Sequence, residues 1–472
     1  MTNHQNTRRS FLLAGLGALA ASRPAAAESK PNIVLIFADD MGWKDCGYTG
    51  SDFYETPNID ALAKQGMVFT QAYACGANCA PSRACLISGQ YTPRHGIYAV
   101  GSTDRGPERL MRMIPVPNTN NLDTRQITIA EALKAAGYVT GKFGKWHLGE
   151  KDGCGARSQG FDVDIDPRRG DPNTARNQPD DPKSIFTITG EVCDFIEKNK
   201  SRPFFAYVAH HAIHVAQEAR PATLAKFKSK PPGKQHSDPL YAACTYDLDD
   251  GVGILLQKIA SLGLEKNTLV VFTSDNGGTQ RSSQEPLCGA KGCYYEGGIR
   301  EPMIVRWPGV APPGTQCDAP VANVDFYPTF VAAAGGAVPA GKILDGESLL
   351  PLFKGQAALK RTSLFWHFPG YLDLPVPRGR DPIFRTRPVS VIRKGDWKLH
   401  LYHEEWQLDG GRAKIDSNRA VELYNIRTDI GERDDLGVKN KSKRDELLDG
   451  LLAWMAAVKA PLPTRPHPAY AP

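Results

Sequence analysis

Three strongly apolar segments of the chain end abruptly in polar or acidic residues. Runs of this length without alternation are typical of strands buried on both faces of a sheet. The segments are residues 33–38 (IVLIFA), 204–209 (FFAYVA) and 268–273 (TLVVFT), followed respectively by Asp39 and Asp40, His210 and His211, and Ser274 to Gly277. Because α/β folds bind ligands at the carboxyl ends of their strands, these polar ends form the first candidate site.

Helical patterns separate these strands. The apolar period of a helix is found in residues 58–65, 128–136 and 244–262, and residues 138–142 form a further strand candidate. Strands that alternate with helices predict an α/β fold with a large, mostly parallel central sheet flanked by helices on both faces.

After residue 358 the pattern changes to short strand candidates and one terminal helix. The strand candidates are residues 364–368, 389–393, 397–402 and 421–424, and the helix candidate is residues 445–458. We therefore expect a main domain over residues 28–358 and a smaller C-terminal α+β domain, carrying an antiparallel sheet, over residues 359–472.

The amino terminus has the features of an export signal. Arg8 and Arg9 precede an apolar stretch at residues 11–21, and residues 25–27 (AAA) offer a cleavage site. The pattern predicts a twin-arginine signal peptide over residues 1–27. Its apolar stretch is shorter than the roughly 20 residues that a membrane-spanning helix needs. We expect a mature protein without a transmembrane segment, periplasmic or secreted.

Composition narrows the choice of partners. Hydrophobic residues make up 41% of the chain and charged residues 23%, and the net charge is +6. This charge mildly favours anionic partners, but no basic run is long enough to predict nucleic acid binding. The 10 cysteines include no CxxC pair and no cysteine–histidine cluster of the zinc type, and the sequence does not reveal how they pair.

The most specific motif lies at residues 79–89 (CAPSRACLISG). Alone, Cys79 would more often be a buried or disulfide-bonded thiol. Its setting in C-x-P-S-R, however, resembles the signature of the type I sulfatases of the alkaline phosphatase-like superfamily. In that family a formylglycine-generating maturation enzyme oxidises this cysteine to formylglycine. The resemblance therefore implies that Cys79 is the precursor of the nucleophile.

Further matches extend the resemblance over nearly the whole chain in the family's order. They are residues 31–40, 144–149 (GKWHLG), 273–277 (TSDNG), 291–302, 394–398 (KGDWK) and 422–425 (ELYN). The resemblance implies a hydrolase that releases inorganic sulfate from a sulfate ester. We expect the ester to belong to a carbohydrate or polysaccharide fragment, with aryl sulfates as model substrates.

Sulfate ester hydrolysis accounts for these residue types. The sulfur is shielded by negative oxygens and the leaving group departs as an anion, so catalysis needs positive charge and a strong oxygen nucleophile. A hydrated formylglycine offers two hydroxyls. One attacks sulfur, and the other later loses its proton to expel sulfate as the aldehyde re-forms.

Two acidic pairs are candidate metal ligands. Asp39, Asp40, Asp275 and Asn276 offer only oxygen ligands, which suit Ca²⁺ or Mg²⁺. Taken singly, either pair is equally consistent with a helix cap. The resemblance favours one Ca²⁺ over Mg²⁺, with the modified Cys79 as a further ligand. Such an ion binds a sulfate oxygen and lowers the pKa of the attacking hydroxyl.

The resemblance also assigns roles to the cationic residues. It implies that Arg83 holds the formylglycine and its metal-bound oxygen. It implies that Lys145 and Lys291 contact the sulfate oxygens, although either lysine alone would more often be a solvated surface charge. His147 would accept or position the proton of the second hydroxyl.

A histidine cluster follows the second apolar segment. Residues 210–214 (HHAIH) resemble the family's histidine motif, and we assign sulfate binding or protonation of the leaving group to His214. The family often has proline where Ile213 stands, so His210 or His211 is the alternative. Glu296 invites an acid–base role, but we expect it to shape the turn before Gly297.

Substrate specificity in such folds comes from loops around a fixed centre. The candidate loops are residues 101–113, 151–181 and 366–387. The last combines aromatic and cationic side chains, which suit sulfated sugars and ordinary surface packing equally: His367, Tyr371, Arg378, Arg380, Arg385 and Arg387.

Two alternative functions remain open at this point. A phosphodiesterase or phosphonate monoester hydrolase on the same fold would also bind a tetrahedral anion. Its two-zinc relatives, however, use additional histidine and aspartate ligands that the motifs here do not supply. A catalytically silent sugar-binding member is the other alternative, which the intact Cys79, Arg83 and Lys145 disfavour.

The tryptic peptide over residues 65–83 tests the central hypothesis. In protein co-expressed with a formylglycine-generating enzyme, we expect mass spectrometry to show the mass loss of thiol-to-aldehyde conversion, located at Cys79. The neighbouring Cys75 in the same peptide is the internal control and should remain a thiol. An unmodified Cys79, with the maturation enzyme active on a reference peptide, would contradict the hypothesis.

Overall fold

The computed structural model describes residue 1 and residues 30–150, 153–170, 173–176, 178–356 and 359–471. Apart from Met1, the signal peptide predicted over residues 1–27 lies outside this part of the chain, as does residue 358 at the predicted domain boundary. The signal peptide and the boundary therefore stay predictions.

A large mixed sheet of nine strands dominates the described part of the chain. Its strands are β1 (Asn32–Ala38), β2 (Met67–Tyr73), β3 (Val139–Gly144), β4 (Val163–Ile165), β5 (Phe204–Ala209), β6 (Thr268–Ser274), β7 (Arg300–Arg306), β8 (Thr315–Cys317) and β9 (Val321–Ala322). They lie in the order β4-β3-β5-β1-β6-β7-β2-β8, with β9 beside β2. Neighbours from β4 through β6 are parallel, whereas β7 is antiparallel to both of its neighbours.

Helices cover both faces of this sheet. They are α1 (Pro57–Gln65), α2 (Cys79–Ser88), α3 (Thr92–His95), α4 (Ile129–Ala135), α5 (Ile185–Asn199), α6 (Pro221–Ser229), α7 (Pro239–Ser261), α8 (Glu296–Ile299), α9 (Phe326–Ala333) and α10 (Leu350–Phe353). Helices α2, α4 and α9 pack on one face, and α1, α5 and α7 on the other. The prediction of a mostly parallel sheet with helices on both faces is confirmed.

The central strand β1 illustrates why its sequence is apolar throughout. Ile33, Leu35 and Phe37 enter the core on the α2 side, and Val34 and Ile36 enter the core on the α7 side. All five side chains are fully buried, and burying a side chain of this kind contributes roughly 1.5–3 kcal/mol. Packing on both faces therefore fixes the carboxyl end of β1 in the middle of the sheet.

The C-terminal unit has its own sheet. Its elements are β10 (Ser363–Phe368), β11 (Leu372–Asp373), β12 (Phe384–Thr386), β13 (Val389–Lys394), β14 (Trp397–Tyr402), α11 (His403–Leu408), β15 (Val421–Asn425) and α12 (Lys441–Ala457). In this described region β10, β13, β14 and β15 form a four-stranded antiparallel sheet, and β11 pairs with β12. The predicted terminal helix is present as α12, which begins at Lys441 rather than residue 445 and packs on the four-stranded sheet.

Helix α7 begins at Pro239, before the predicted start at residue 244. The Asp238 side chain accepts hydrogen bonds from the backbone N–H groups of Leu240 and Tyr241, at 3.0 and 3.1 Å. Proline at the first helical position needs no such partner, because it has no N–H. The sequence signal for this helix start was an aspartate at the capping position followed by proline, which the apolar period alone did not reveal.

A buried ion network joins the two sheets. Lys398 on β14 donates from Nζ to Glu296 at 2.9 Å and lies 2.9 Å from Glu432. The hydroxyl of Tyr73 on β2 also donates to Glu296, at 2.7 Å. Burial opposes ionisation of Glu296, but Lys398 and Arg300 outweigh it and lower its pKa to about 2. Glu296 is therefore an ionised structural residue between the sheets and not an acid–base group.

No helix in the described part of the chain is long and apolar enough to cross a membrane. All ten cysteines belong to described residues, and each is a free thiol.

The buried network predicts a large stability difference between two lysines. Replacing Lys398 with Met removes the cation that Glu296 and Glu432 share, and breaking a buried ion pair costs about 3–5 kcal/mol of unfolding free energy. Lys394→Met is the matched control, because Lys394 forms an exposed pair with Glu446 at 2.9 Å and exposed pairs contribute about 0–1 kcal/mol. Urea denaturation followed by tryptophan fluorescence measures both, and equal losses would contradict the assignment.

Candidate active site

The carboxyl ends of the parallel neighbours β1 and β6 bring the two acidic pairs together. The Asp40 backbone N–H donates to Asp275 Oδ1 at 3.1 Å, and Asn276 Nδ2 donates to Asp40 Oδ1 at 2.8 Å. Asp39, Asp40, Asp275 and Asn276 are all buried. These two contacts therefore join residues that are more than 230 positions apart in the sequence into one cluster.

Cys79 faces this cluster from the first turn of α2. Its Sγ atom lies 3.5 Å from Asp39 Oδ1 and 3.8 Å from Asp40 Oδ1, and Lys291 Nζ lies 3.2 Å from it. Burial raises the pKa of the Cys79 thiol, but Lys145 and Lys291 outweigh this effect and lower it. Because every residue of α2 is buried, the helix holds this side chain in place.

Arg83 lies one turn further along α2 and is fully buried. Its Nε and Nη2 atoms both donate to Asp275 Oδ2, at 3.1 and 2.7 Å. Its Nη1 atom donates to the Lys145 carbonyl at 3.2 Å and to the Tyr207 hydroxyl at 3.3 Å. A buried guanidinium is tolerated only when it is paired and hydrogen-bonded, so Arg83 fixes α2 against β5, β6 and the segment after β3.

Two lysines reach the same carboxylates from other segments. Lys145 follows β3, and its Nζ atom donates to Asp39 Oδ2 at 2.7 Å. Lys291 lies between β6 and α8, and its Nζ atom lies 2.5 Å from Asp40 Oδ1. Burial opposes ionisation of Asp39, but Lys145 together with the other nearby cations holds its pKa well below the usual range.

Formal charges balance among the described residues of this cluster. Three acidic side chains, Asp39, Asp40 and Asp275, face three cations, Arg83, Lys145 and Lys291. Burial, together with the neighbouring Cys79 and Asp39, raises the pKa of Asp275 well above its usual range. A sulfate ester adds one negative charge, and an unbalanced buried charge is costly. A divalent cation held by the oxygens of this cluster would offset that added charge.

The oxygen atoms of the cluster fit a hard cation. Ligand atoms of Asp39, Asp40, Cys79 and His214 all lie within 4.8 Å of one another. Asp40 Oδ2 and Asn276 Oδ1 are buried without a hydrogen-bond partner. Because buried polar atoms are almost always satisfied, these two oxygens are available to a cation, and carboxylate and amide oxygens suit Ca²⁺ or Mg²⁺.

Two residues of the centre adopt left-handed backbone conformations. The φ angles are 70° at Asp40 and 64° at His147. Non-glycine residues in this region are strained and persist only where their surroundings fix them, which occurs most often at functional sites. Burial, together with Lys145 and Arg83, holds the pKa of His147 well below the usual range. A neutral imidazole at this position can accept a proton.

The structure separates the three histidines of residues 210–214. His214 Nε2 lies 3.7 Å from Asp40 Oδ2, whereas His211 Nε2 pairs with Asp166 Oδ1 at 2.8 Å. His210 is buried, and burial lowers its pKa to about 3. Of these three, His214 is the one whose ring nitrogen lies in the cluster of Asp39, Asp40 and Cys79. Its role in binding sulfate or protonating the leaving group stays a prediction.

Tyr207 and Asp166 were not identified from the sequence. Tyr207 supports Arg83 from within an apolar strand, and its hydroxyl was the signal that could have revealed it. Asp166 lies within the candidate loop at residues 151–181, and nothing in its sequence neighbourhood distinguishes it from a surface aspartate. Tyr207 binds Arg83 of the centre, and Asp166 binds His211 beside it.

Two family models match the chain. One, described as Sulfatase, matches residues 31–337 and contains every residue of the centre described above. This chain belongs to the sulfatase family. The other, described as N-sulphoglucosamine sulphohydrolase, C-terminal, matches residues 290–436 and spans the junction between the two sheets.

Curated relatives agree with this assignment. A sulfatase of Formosa agariphila is 33% identical over 524 aligned residues, covering 92% of this chain and 90% of the relative. Human arylsulfatase A is 32% identical, covering 90% and 85%. This sulfatase is thus a sulfuric ester hydrolase.

Its fold is also that of solved sulfatase-like structures. The crystal structure of Ps i-CgsB in complex with k-i-k-neocarrahexaose is 29% identical, with a TM-score of 0.73. The alignment covers 93% of this chain and 95% of that one. That protein was therefore crystallised with an oligosaccharide bound.

Proposed function

We propose that this sulfatase hydrolyses a sulfate ester of a carbohydrate, with Cys79 as formylglycine and one bound Ca²⁺. The observation that carries the proposal is the position of Cys79 Sγ, 3.5 Å from Asp39 and 3.2 Å from Lys291. A nucleophile precursor thus lies between the candidate metal ligands and a sulfate-binding cation.

Each residue of the centre has a defined task in this proposal. Formylglycine at position 79 supplies, as its hydrate, the attacking hydroxyl and a second hydroxyl whose deprotonation releases sulfate. Lys145 and Lys291 bind the sulfate oxygens and offset their negative charge. His147, which is half-buried, accepts or positions the proton of the second hydroxyl. His214 binds sulfate or protonates the leaving alcohol.

Arg83 is a positioning residue in this proposal. Its bonds to Asp275 and Tyr207 hold α2, and therefore residue 79, in register with β5 and β6. A cation bound by Asp39, Asp40, Asp275 and Asn276 would polarise the sulfate and favour ionisation of the attacking hydroxyl. Calcium suits the site better than magnesium because it accepts six to eight oxygen ligands in irregular geometry.

The carbohydrate part of the proposal rests on two supports. The first is the solved relative that holds k-i-k-neocarrahexaose. The second is the arginine-rich segment between β10 and β13, which lies beside the loop of Lys291. We further propose export through the twin-arginine signal and maturation by a formylglycine-generating enzyme.

Release of inorganic sulfate tests the function. Protein co-expressed with a formylglycine-generating enzyme should release sulfate from carrageenan or chondroitin disaccharides, as measured by ion chromatography. It should also hydrolyse 4-nitrophenyl sulfate faster than 4-nitrophenyl phosphate. We expect Cys79→Ala to abolish turnover, and Lys291→Ala to lower kcat roughly 10²–10³-fold, as loss of one preorganised electrostatic contact does.

The matched control is Cys193→Ala, which removes a thiol from α5, outside the cluster, and should keep the activity of the unsubstituted protein. A faster reaction with the phosphate ester would favour the phosphoryl hydrolase instead. Turnover that survives Cys79→Ala would contradict the assigned nucleophile.

Metal removal tests the cation. Dialysis against EGTA should abolish sulfate release, because the sulfate and the attacking hydroxyl then lack the cation that polarises the one and favours ionisation of the other. Added Ca²⁺ should restore activity and raise the Tm, since a ligand that binds only the folded state stabilises it. Mg²⁺ should restore less. Full activity after EGTA treatment, with calcium shown absent by mass spectrometry, would contradict the proposal.

A further inference from the structure

The segment at residues 366–387 contains one arginine that differs from its neighbours. Arg378, Arg380 and Arg387 each have a carboxylate partner within 4 Å. Those partners are Glu285, Glu405 and Glu404, at N–O distances of 3.7, 2.7 and 2.9 Å respectively. Among the described residues, Arg385 has no carboxylate within that distance, although its side chain is partly buried.

Arg385 lies directly against the loop that carries Lys291. Its Nη1 atom donates to the Lys291 carbonyl and its Nε atom to the Leu374 carbonyl, both at 3.3 Å. Its Cδ atom lies 2.1 Å from where a Cβ on Gly292 would be, and Gly292 has a φ of +94°. Glycine at position 292 thus allows the arginine to lie flat on the backbone beside Lys291.

A second guanidinium comes from the loop at residues 101–113. The Tyr371 backbone N–H donates to the Thr103 carbonyl at 2.7 Å, which joins this loop to the arginine-rich segment. Arg105 Nη2 lies 2.5 Å from Asp373 Oδ1, and this pair is about one-third exposed. Two of the three loops predicted to set specificity therefore meet beside Lys291.

The electrostatic balance of this group is positive. Burial lowers the pKa of the Arg385 guanidinium, as does repulsion from Arg105, while Asp373 opposes both effects. Asp40 of the metal-ligating cluster also acts on Arg385, so the group lies within electrostatic reach of the centre. Asp373 pairs with Arg105 and is not in contact with Arg385, so among the described residues the Arg385 guanidinium beside the Lys291 carbonyl is left without a paired carboxylate.

We propose that Arg385 and Arg105 form an anion subsite that binds a second sulfate or a carboxylate on the carbohydrate whose sulfate ester is cleaved beside Lys291. This inference rests on the proposed function. A guanidinium presents a planar fork of donors that fits either anion, and Arg385 has donor capacity beyond its two carbonyl contacts. The substrate is then a polyanionic saccharide.

Position relative to the nucleophile supports the subsite. Lys291 Nζ contacts Cys79 Sγ at 3.2 Å, and its carbonyl contacts Arg385. The side chain of Lys291 thus connects Arg385, at its backbone carbonyl, with Cys79, at its ammonium group. A sugar of one or two rings can carry both anionic groups. Leu374, beside Arg385, is 62% exposed and offers an apolar surface to a ring.

Two matched pairs of sugars test the subsite. Neocarrabiose with one sulfate is compared with its doubly sulfated form, and N-acetylgalactosamine 6-sulfate with the chondroitin 6-sulfate disaccharide that adds a uronate. Calorimetry measures binding to calcium-loaded Cys79→Ala protein, in which nothing is turned over. The difference in affinity within the first pair measures the effect of a second sulfate, and the difference within the second pair measures the effect of a carboxylate.

We expect Arg385→Gln to weaken binding of the doubly charged member of a pair roughly tenfold or more, since hydrogen bonds to charged groups contribute that much. Binding of the singly charged member should change about twofold or less. Arg105→Gln should act in the same direction. The control Arg427→Gln removes an exposed positive charge that pairs with Asp396 and should change neither.

Three outcomes would overturn the subsite. One is equal loss for both members of each pair, accompanied by a lower kcat on 4-nitrophenyl sulfate, which would make Arg385 a clamp for the Lys291 loop. Another is that the protein with Arg385 and Arg105 intact binds neither doubly charged sugar more tightly than its singly charged counterpart. The third is an equal effect of Arg427→Gln. Binding is measured without turnover and is therefore independent of catalysis. If the protein with Cys79 releases no sulfate but the doubly charged sugars still bind more tightly through Arg385, only the proposed function is contradicted.

Discussion

The active centre depends on one constraint: carboxylates buried at the ends of two adjacent strands must be neutralised. Asp39 and Asp275 lie at the carboxyl ends of β1 and β6, where both side chains are fully buried. Arg83 neutralises one of them from a helix, and Lys145 the other from the end of β3. The same contacts that balance charge also fix the nucleophile helix, so electrostatics and positioning are inseparable here.

The apolar runs predicted the central strands, because a strand that is buried on both faces has apolar residues at almost every position and is therefore visible in the sequence. Strands β2 and β7 were not predicted. β7 opens with Arg300 and Glu301, which are buried yet charged. Arg300 is paired with Glu296, and the Thr273 hydroxyl lies 3.4 Å from Glu301. Charged residues inside a strand are recognisable only once their partners are known, and those partners lie on other segments.

The candidate site was more predictable than the loops around it. The motifs around Cys79, Lys145 and Lys291 are local in sequence, so a resemblance could identify them. The resemblance favoured His214 but left His210 and His211 open, and the contacts with Asp40 and Asp166 that separate His214 from His211 come from tertiary structure. Likewise, composition indicated a group of arginines near the site, but the carboxylate partners that distinguish Arg385 from Arg380 come from three-dimensional packing.

The network around Glu296 has a consequence for how the two sheets hold together. Its backbone N–H donates to Glu432 at 2.6 Å, and its carboxylate binds Lys398, so residues of the second sheet's unit anchor the turn that follows Lys291. The polypeptide connection between the sheets is then not what keeps them in contact. A chain nicked by a protease between them would stay associated as two fragments, whereas either fragment expressed separately would expose unpaired charges that water and chaperones must accommodate.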